Sequence, residues 1–220
     1  HAPAPDGSPS TPPAPTPAAP PARQPPPQPR MALPILRPLG QVRSTYVIAE
    51  GPDGLYLIDQ HAAHERVLFE RLRDQRRRKA VEAQGLLEPL AVELSLAQEQ
   101  TFQAHREEMD AFGFALEPFG ERTYLMRRVP AALKALAPPQ AVREVLDLLG
   151  QDLPVEREDR VAFSVACHGA IRAGKVLARE EMEELLRLLE QTEQPHTCPH
   201  GRPTMVHLSS ADLEQQFGRR

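Results

Sequence analysis

Apolar and polar positions change rhythm along the chain, and each change predicts an element. Val42, Tyr46, Val47 and Ile48 fall in a loosely alternating stretch, residues 41–50, that reads as a strand. Gly51-Pro52-Asp53-Gly54 is a turn signal, and Leu55-Tyr56-Leu57-Ile58 behind it completes a β-hairpin. Asp59 ends that run. From Gln60 to Lys79 the chain is rich in Ala, Glu, Leu and Arg without Gly or Pro, which predicts a helix. Further strands are predicted over 90–94, 114–118, 123–129 and 204–208, and further helices over 97–112, 138–149, 156–173 and 180–191. Two helices carry apolar stripes: Val142, Val145, Leu146 and Leu149 in one, Met182, Leu185, Leu186 and Leu189 in the other. Ser209, three residues before Asp212, starts a last short helix with a capping-box pattern, and Leu213 and Phe217 are expected to face inward. Strands and helices mixed in this way place the chain in the α/β class.

Composition adds a boundary. Residues 1–30 hold 13 of the 25 prolines among Ala, Ser, Thr and Gln, which cannot bury a core and predict an extended linker. A chain that starts in a linker is expected to continue a longer protein. The net charge of −4 argues against a globally basic nucleic-acid coat but leaves room for a local patch. Such a patch is Arg71–Lys79, with six positive residues and one negative. It reads as a solvated helix end favoured by the dipole or as a phosphate contact. With two cysteines, Cys167 and Cys198, no disulfide framework is expected, and a cytosolic setting with free or metal-bound thiols fits better. No apolar run is long enough to span a bilayer and no signal peptide is visible.

The chemistry concentrates in Asp59–Arg71, DQHAAHERVLFER. His61 and Glu65, four apart on a helix, share a face and can grip one ion, with Asp59 close by at the helix start. A polar helix start with solvated charges would look the same. His64 and Glu70 point elsewhere. The second concentration is the loop His196–Pro203. Cys198 and His200, two apart in extended backbone, point to one side and make half of a tetrahedral zinc site. His61, Glu65 and Cys167 are the available partners. Five donors, one of them a carboxylate, exceed what a structural zinc needs, and suggest two ions, or zinc beside a harder Mn²⁺ or Mg²⁺. No HExxH is present, which weakens a zinc peptidase reading.

These residues resemble a known family. Asp59-Gln60-His61-Ala62, Glu65 and Glu70 reproduce the DQHA-x2-E-x4-E motif of the MutL mismatch-repair endonucleases. Ala166–Ala173 resembles the family's second motif, Cys198–Pro203 its CPHGRP motif, and Ser210–Arg219 its closing segment. Together they cover roughly residues 31–220, and the chain resembles the C-terminal domain of a bacterial MutL. The resemblance implies an N-terminal ATPase before the linker and a homodimer. It also implies two subdomains: a dimerisation subdomain from residues 31–84 and 155–220, with a regulatory subdomain, 85–154, inserted. It further implies a metal-dependent nicking endonuclease acting on duplex DNA. Structural or regulatory Zn²⁺ and catalytic Mn²⁺ or Mg²⁺ would be its cofactors. His61, Glu65, Cys167, Cys198 and His200 would hold metal; Asp59 and Glu65 would be the catalytic residues, Asp59 binding or orienting a catalytic ion or positioning the attacking water. Gln84, Leu87 and Pro89 resemble a segment that binds the polymerase sliding clamp (beta), and MutS is a further implied partner. The implied setting is bacterial cytoplasm, at the nucleoid during repair. The rival expectation is a zinc-stabilised module that dimerises and recruits the clamp without catalysis of its own.

Overall fold

The computed structural model describes residues 33–133 and 136–219, so the predicted linker over residues 1–30 lies outside the described residues. Its class is α/β, with two antiparallel sheets and six α-helices among the described residues. The first sheet joins β1 (Arg37–Val42), β2 (Tyr46–Gly51), β3 (Gly54–Asp59) and β7 (Met205–Ser209) in that order. The strand nearest the C-terminus thus completes the first hairpin, Ile58 pairing with Met205 and Leu55 with Leu208. The second sheet is β4 (Ala83–Glu93), β6 (Thr123–Pro130) and β5 (Ala115–Gly120).

Helix α1 (Gln60–Arg77) follows β3 without a loop. It feeds two buried clusters. Ala63 and Val67 pack with Val47, Ala49 and Ile58 of the first sheet and with Met182, Leu185, Leu186 and Leu189 of α5 (Arg179–Glu190). Leu68, Phe69 and Leu72 pack with the second sheet, α2 (Leu96–Ala111), α3 (Pro138–Leu149) and α4 (Arg160–Gly169). A helix covered on two sides has no single apolar stripe. That explains a sequence dense in charge in which Gln60, Glu65 and Arg66 are nonetheless buried. α3 and α5 each bury one side only, and their apolar stripes are the predicted ones.

The differences from the sequence reading have local causes. Residues 41–50 do not form one strand. Arg43 and Ser44 take φ of 51° and 50° in a hairpin turn closed by Thr45 N–H on Val42 C=O, and β1 lies before it. Such a turn usually announces itself with Gly or Asn. Here tertiary bonds hold it instead, the Ser44 carbonyl accepting from Gln60 Nε2 at 2.8 Å and from Gly174 N–H at 2.9 Å. β4 starts at Ala83 rather than Leu90, and its pairing with β6 slips between Gly85 and Leu90. The helix predicted over 156–173 shrinks to α4, preceded by a 3-10 turn, Arg157–Asp159. It ends at Gly169 because Ala170 turns extended, and Gly169 lies so near the Ala132 backbone that a Cβ would come within 2.6 Å of the Ala132 oxygen. The last helix, α6 (Ser210–Gln216), has the predicted Ser209–Asp212 capping box but buries no residue. Leu213 is half-buried, whereas Phe217 does not face inward as expected. Phe217 is 76% exposed.

Candidate metal centre

The centre is assembled from the first turns of α1, the end of α4 and the loop before β7. Asp59 N-caps α1. Its Oδ1 accepts the N–H of His61 at 2.9 Å and of Ala62 at 3.1 Å, satisfying two donors the helix start would leave free. Two residues on, His61 Nε2 stands 3.4 Å from Oε1 of Glu65, one turn further along the helix. His61 Nδ1 donates to the Ile171 carbonyl at 2.9 Å, which directs Nε2 towards the carboxylate. Glu65 Oε2 in turn lies 3.2 Å from His200 Nδ1. The carboxylate is therefore held between two imidazoles while only 4% exposed.

The sulfur donors complete the group. Cys167 Sγ, on α4, is 3.6 Å from His200 Nε2, and Cys198 is buried beside them. One ligand atom each from Glu65, Cys198 and His200 lies within 4.8 Å of the others. Cys198 N–H donates to Arg202 C=O at 2.8 Å and Gly201 N–H to Cys198 C=O at 2.9 Å, which folds the loop back on itself. Gly201 sits at φ +81°, a conformation glycine adopts without penalty. Phe163 supports the His200 ring at 4.6 Å between centroids.

Charge shapes the group. Burial raises the Glu65 pKa, but the His61 hydrogen bond and the His200 charge outweigh it and leave the carboxyl below its ordinary value. His61 is raised, mainly by its bond to Glu65. Burial, and then the Glu65 charge, push the Cys167 thiol far up, so that without a cation it keeps its proton. A thiol, an imidazole and a carboxylate within reach of one another, flanked by His61 and Cys167, are donor types that suit a zinc-class ion. Facing a carboxylate across 3.4 Å, His61 Nε2 requires either a proton or a shared cation.

Of the five expected ligands, Glu65, Cys198 and His200 form the close group, while His61 touches it through Glu65 and Cys167 through His200, with Asp59 at the helix cap. Glu70 stands apart, as its helical phase requires. It pairs with Arg66 at 3.4 Å and accepts the N–H groups of Glu193 at 2.5 Å and Gln194 at 3.1 Å. The residues that sequence reasoning missed act through backbone. Ile171 offers its carbonyl to His61 and its N–H to His64 Nδ1 at 2.9 Å. Gln60, fully buried, ties the β1–β2 turn to the carbonyls of Arg172 and Lys175. Backbone partners leave no side-chain signature; the Arg66–Glu70 spacing of four was the one readable clue. The basic run is largely engaged within the chain. Arg71 pairs with Glu82, Arg73 with Asp159 and Arg78 with Asp74, while Arg76 donates to the Glu158 carbonyl. Gln84, Leu87 and Pro89 are exposed on β4 and do not enter the group.

The model of the MutL C terminal dimerisation domain family matches residues 39–177. The chain belongs to that family. Among curated relatives, it is 43% identical over 188 residues to the DNA mismatch repair protein MutL of Koribacter versatilis, covering 84% of this chain and 29% of the relative. It is 44% identical over 191 residues to MutL of Acidiphilium cryptum, covering 84% and 33%. It is 37% identical over 195 residues to MutL of Halothermothrix orenii, covering 87% and 30%. The chain thus spans about a third of the length of the relatives it matches. Among the described residues, no helix is long and apolar enough to cross a membrane.

Proposed function

We propose that the chain is the dimerisation and metal-dependent nicking domain of a mismatch-repair MutL, cutting one strand of duplex DNA. The observation that carries this reading is the buried Glu65 carboxylate held between His61 and His200, with two thiols beside it. Packing alone does not call for a buried carboxylate ringed by metal-donor types. His61, Glu65, Cys167, Cys198 and His200 would hold Zn²⁺, with Mn²⁺ or Mg²⁺ as the working ion near Asp59. The bound ions would activate water and offset charge on the phosphate under attack. The chain's own part is positional. Ile171 fixes the His61 ring, the Cys198–Arg202 turn presents His200, and Asp59 anchors its Oδ1 on the helix start beside the group.

The outer face of the first sheet suits a second copy. Ile48, Leu57 and Val206 stand in register across β2, β3 and β7, and Leu55 beside Leu208, on the side away from α1. Val206 and Leu208 are exposed, as are Tyr46 and Val42 nearby. This face and both ends of the described chain would form the dimerisation subdomain, with the second sheet and its helices as the inserted regulatory one. Leu87, fully exposed where β4 slips out of register, would enter the sliding clamp with Gln84 and Pro89 beside it. Exposed Arg77 and Lys79 remain for the DNA backbone. The ATPase half, the clamp and MutS would supply localisation.

The test is nicking of supercoiled plasmid with Mn²⁺ by the wild-type chain and by Asp59→Asn. Loss of nicking in a folded variant is expected. A wild-type chain that binds zinc, dimerises and never nicks with any metal or with the clamp would establish the non-catalytic module instead.

A further inference from the structure

We infer that Arg66 and Glu70 are positioning residues that hold the loop carrying Cys198 and His200 in register with the His61/Glu65 face of the same helix. The inference rests on the metal reading above. Its basis is a set of bonds on the side of α1 next to the ligand face. Glu70 spends both carboxylate oxygens on backbone, Oε2 on Glu193 N–H at 2.5 Å and Oε1 on Gln194 N–H at 3.1 Å. Arg66 Nε donates to the Thr197 carbonyl at 2.6 Å, one residue before Cys198, and its Nη1 reaches Glu70 Oε1 at 3.4 Å. Arg66 is 5% exposed, so its charge is retained in the interior only with these partners. The contacts therefore grip the entrance to the loop at three points, Glu193, Gln194 and Thr197.

Beyond the grip the loop is self-supporting. Thr204, fully buried, bonds back to Pro195 and His196, and Cys198 and Gly201 close the turn. A rigid loop anchored at its entrance moves as one body. One helix thus sets both halves of the donor group: Glu65 supplies a donor, and the adjacent Arg66 with Glu70, one turn on, decides where the other donors stand. Neither Arg66 nor Glu70 enters the ligand cluster. Partners of this kind change metal affinity by about 10- to 100-fold when removed.

The measurement is Co²⁺ titration of the purified chain, followed by its thiolate charge-transfer absorption, with Zn²⁺ as competitor. Glu70→Gln keeps side-chain volume but turns an NH₂ towards one of the two backbone donors. Glu70→Ala removes both acceptors. We expect Zn²⁺ affinity to fall about 10- to 100-fold in both, with a weakened or shifted Co²⁺ band, and Glu70→Asp to recover part of it. Metal-free thermal unfolding checks that each variant is folded, and Glu70→Gln alone decides the matter if Glu70→Ala does not fold. Wild-type affinity and an unchanged band in folded Glu70→Gln would overturn the positioning role while leaving the metal centre intact. A wild-type chain that takes up no Co²⁺ or Zn²⁺ would overturn the metal reading and this inference with it.

Discussion

Asp59 caps α1, and in the proposed function it also serves the chemistry; two substitutions separate the roles. As an N-cap it holds the N–H groups of His61 and Ala62 through Oδ1. Asparagine caps about as well as aspartate, so Asp59→Asn loses only the charge at the helix dipole, roughly 0.3–1 kcal/mol. Asp59→Ala loses the cap as well, adding about 1 kcal/mol. For a domain of this size, each 1 kcal/mol lowers Tm by roughly 2–4 °C. Urea unfolding of the metal-free chain should therefore rank wild type, Asn and Ala in descending stability, with Asn nearer wild type. Plasmid nicking with Mn²⁺ should be lost in both variants. Nicking by Asp59→Asn at the wild-type rate would refute the chemical role. A stability loss in Asp59→Asn equal to that of Asp59→Ala would refute the account of the cap.

Three further outcomes follow from the same contacts. The raised His61 contributes stability below its ordinary value of 6.5, lost as pH rises through its raised one, and the lowered Glu65 contributes above 4.5, lost as pH falls through its lowered one. The pair therefore stabilises the metal-free chain most between pH 4.5 and 6.5, and Glu65→Gln should lower stability in that window and flatten the falls on either side of it; an unchanged curve would count against the pairing. Gln60→Ala removes a fully buried amide that bonds the Ser44 and Lys175 carbonyls and should cost about 0.5–3 kcal/mol in denaturant unfolding; a loss within measurement error would contradict the hub role. Leu87→Ala touches no core and should change stability by less than about 0.5 kcal/mol. It should abolish clamp binding in surface plasmon resonance, and retained binding would move the clamp site elsewhere.

Local signals made much of this protein legible in one dimension. The stripes of α3 and α5, the Ser209 capping box and the turn before Leu55 each depend on residues within a few positions of one another. So does the sharing of one helical face by His61 and Glu65, because helix geometry alone puts them together. Donor chemistry was readable too, since thiol, imidazole and carboxylate side chains announce themselves. Tertiary structure decided what depends on distant backbone. The Arg43–Ser44 turn has no glycine to mark it and stands because Gln60 and Gly174 hold its carbonyl. α4 has its glycine, Gly169, where another segment's carbonyl leaves no room for a Cβ. Glu70 looked unexplained beside the ligands because its partners are the N–H groups of residues 193 and 194, and every residue but proline carries an N–H. The ligand types were therefore written in side chains, while the bonds that place them were written in main-chain groups that no sequence pattern distinguishes.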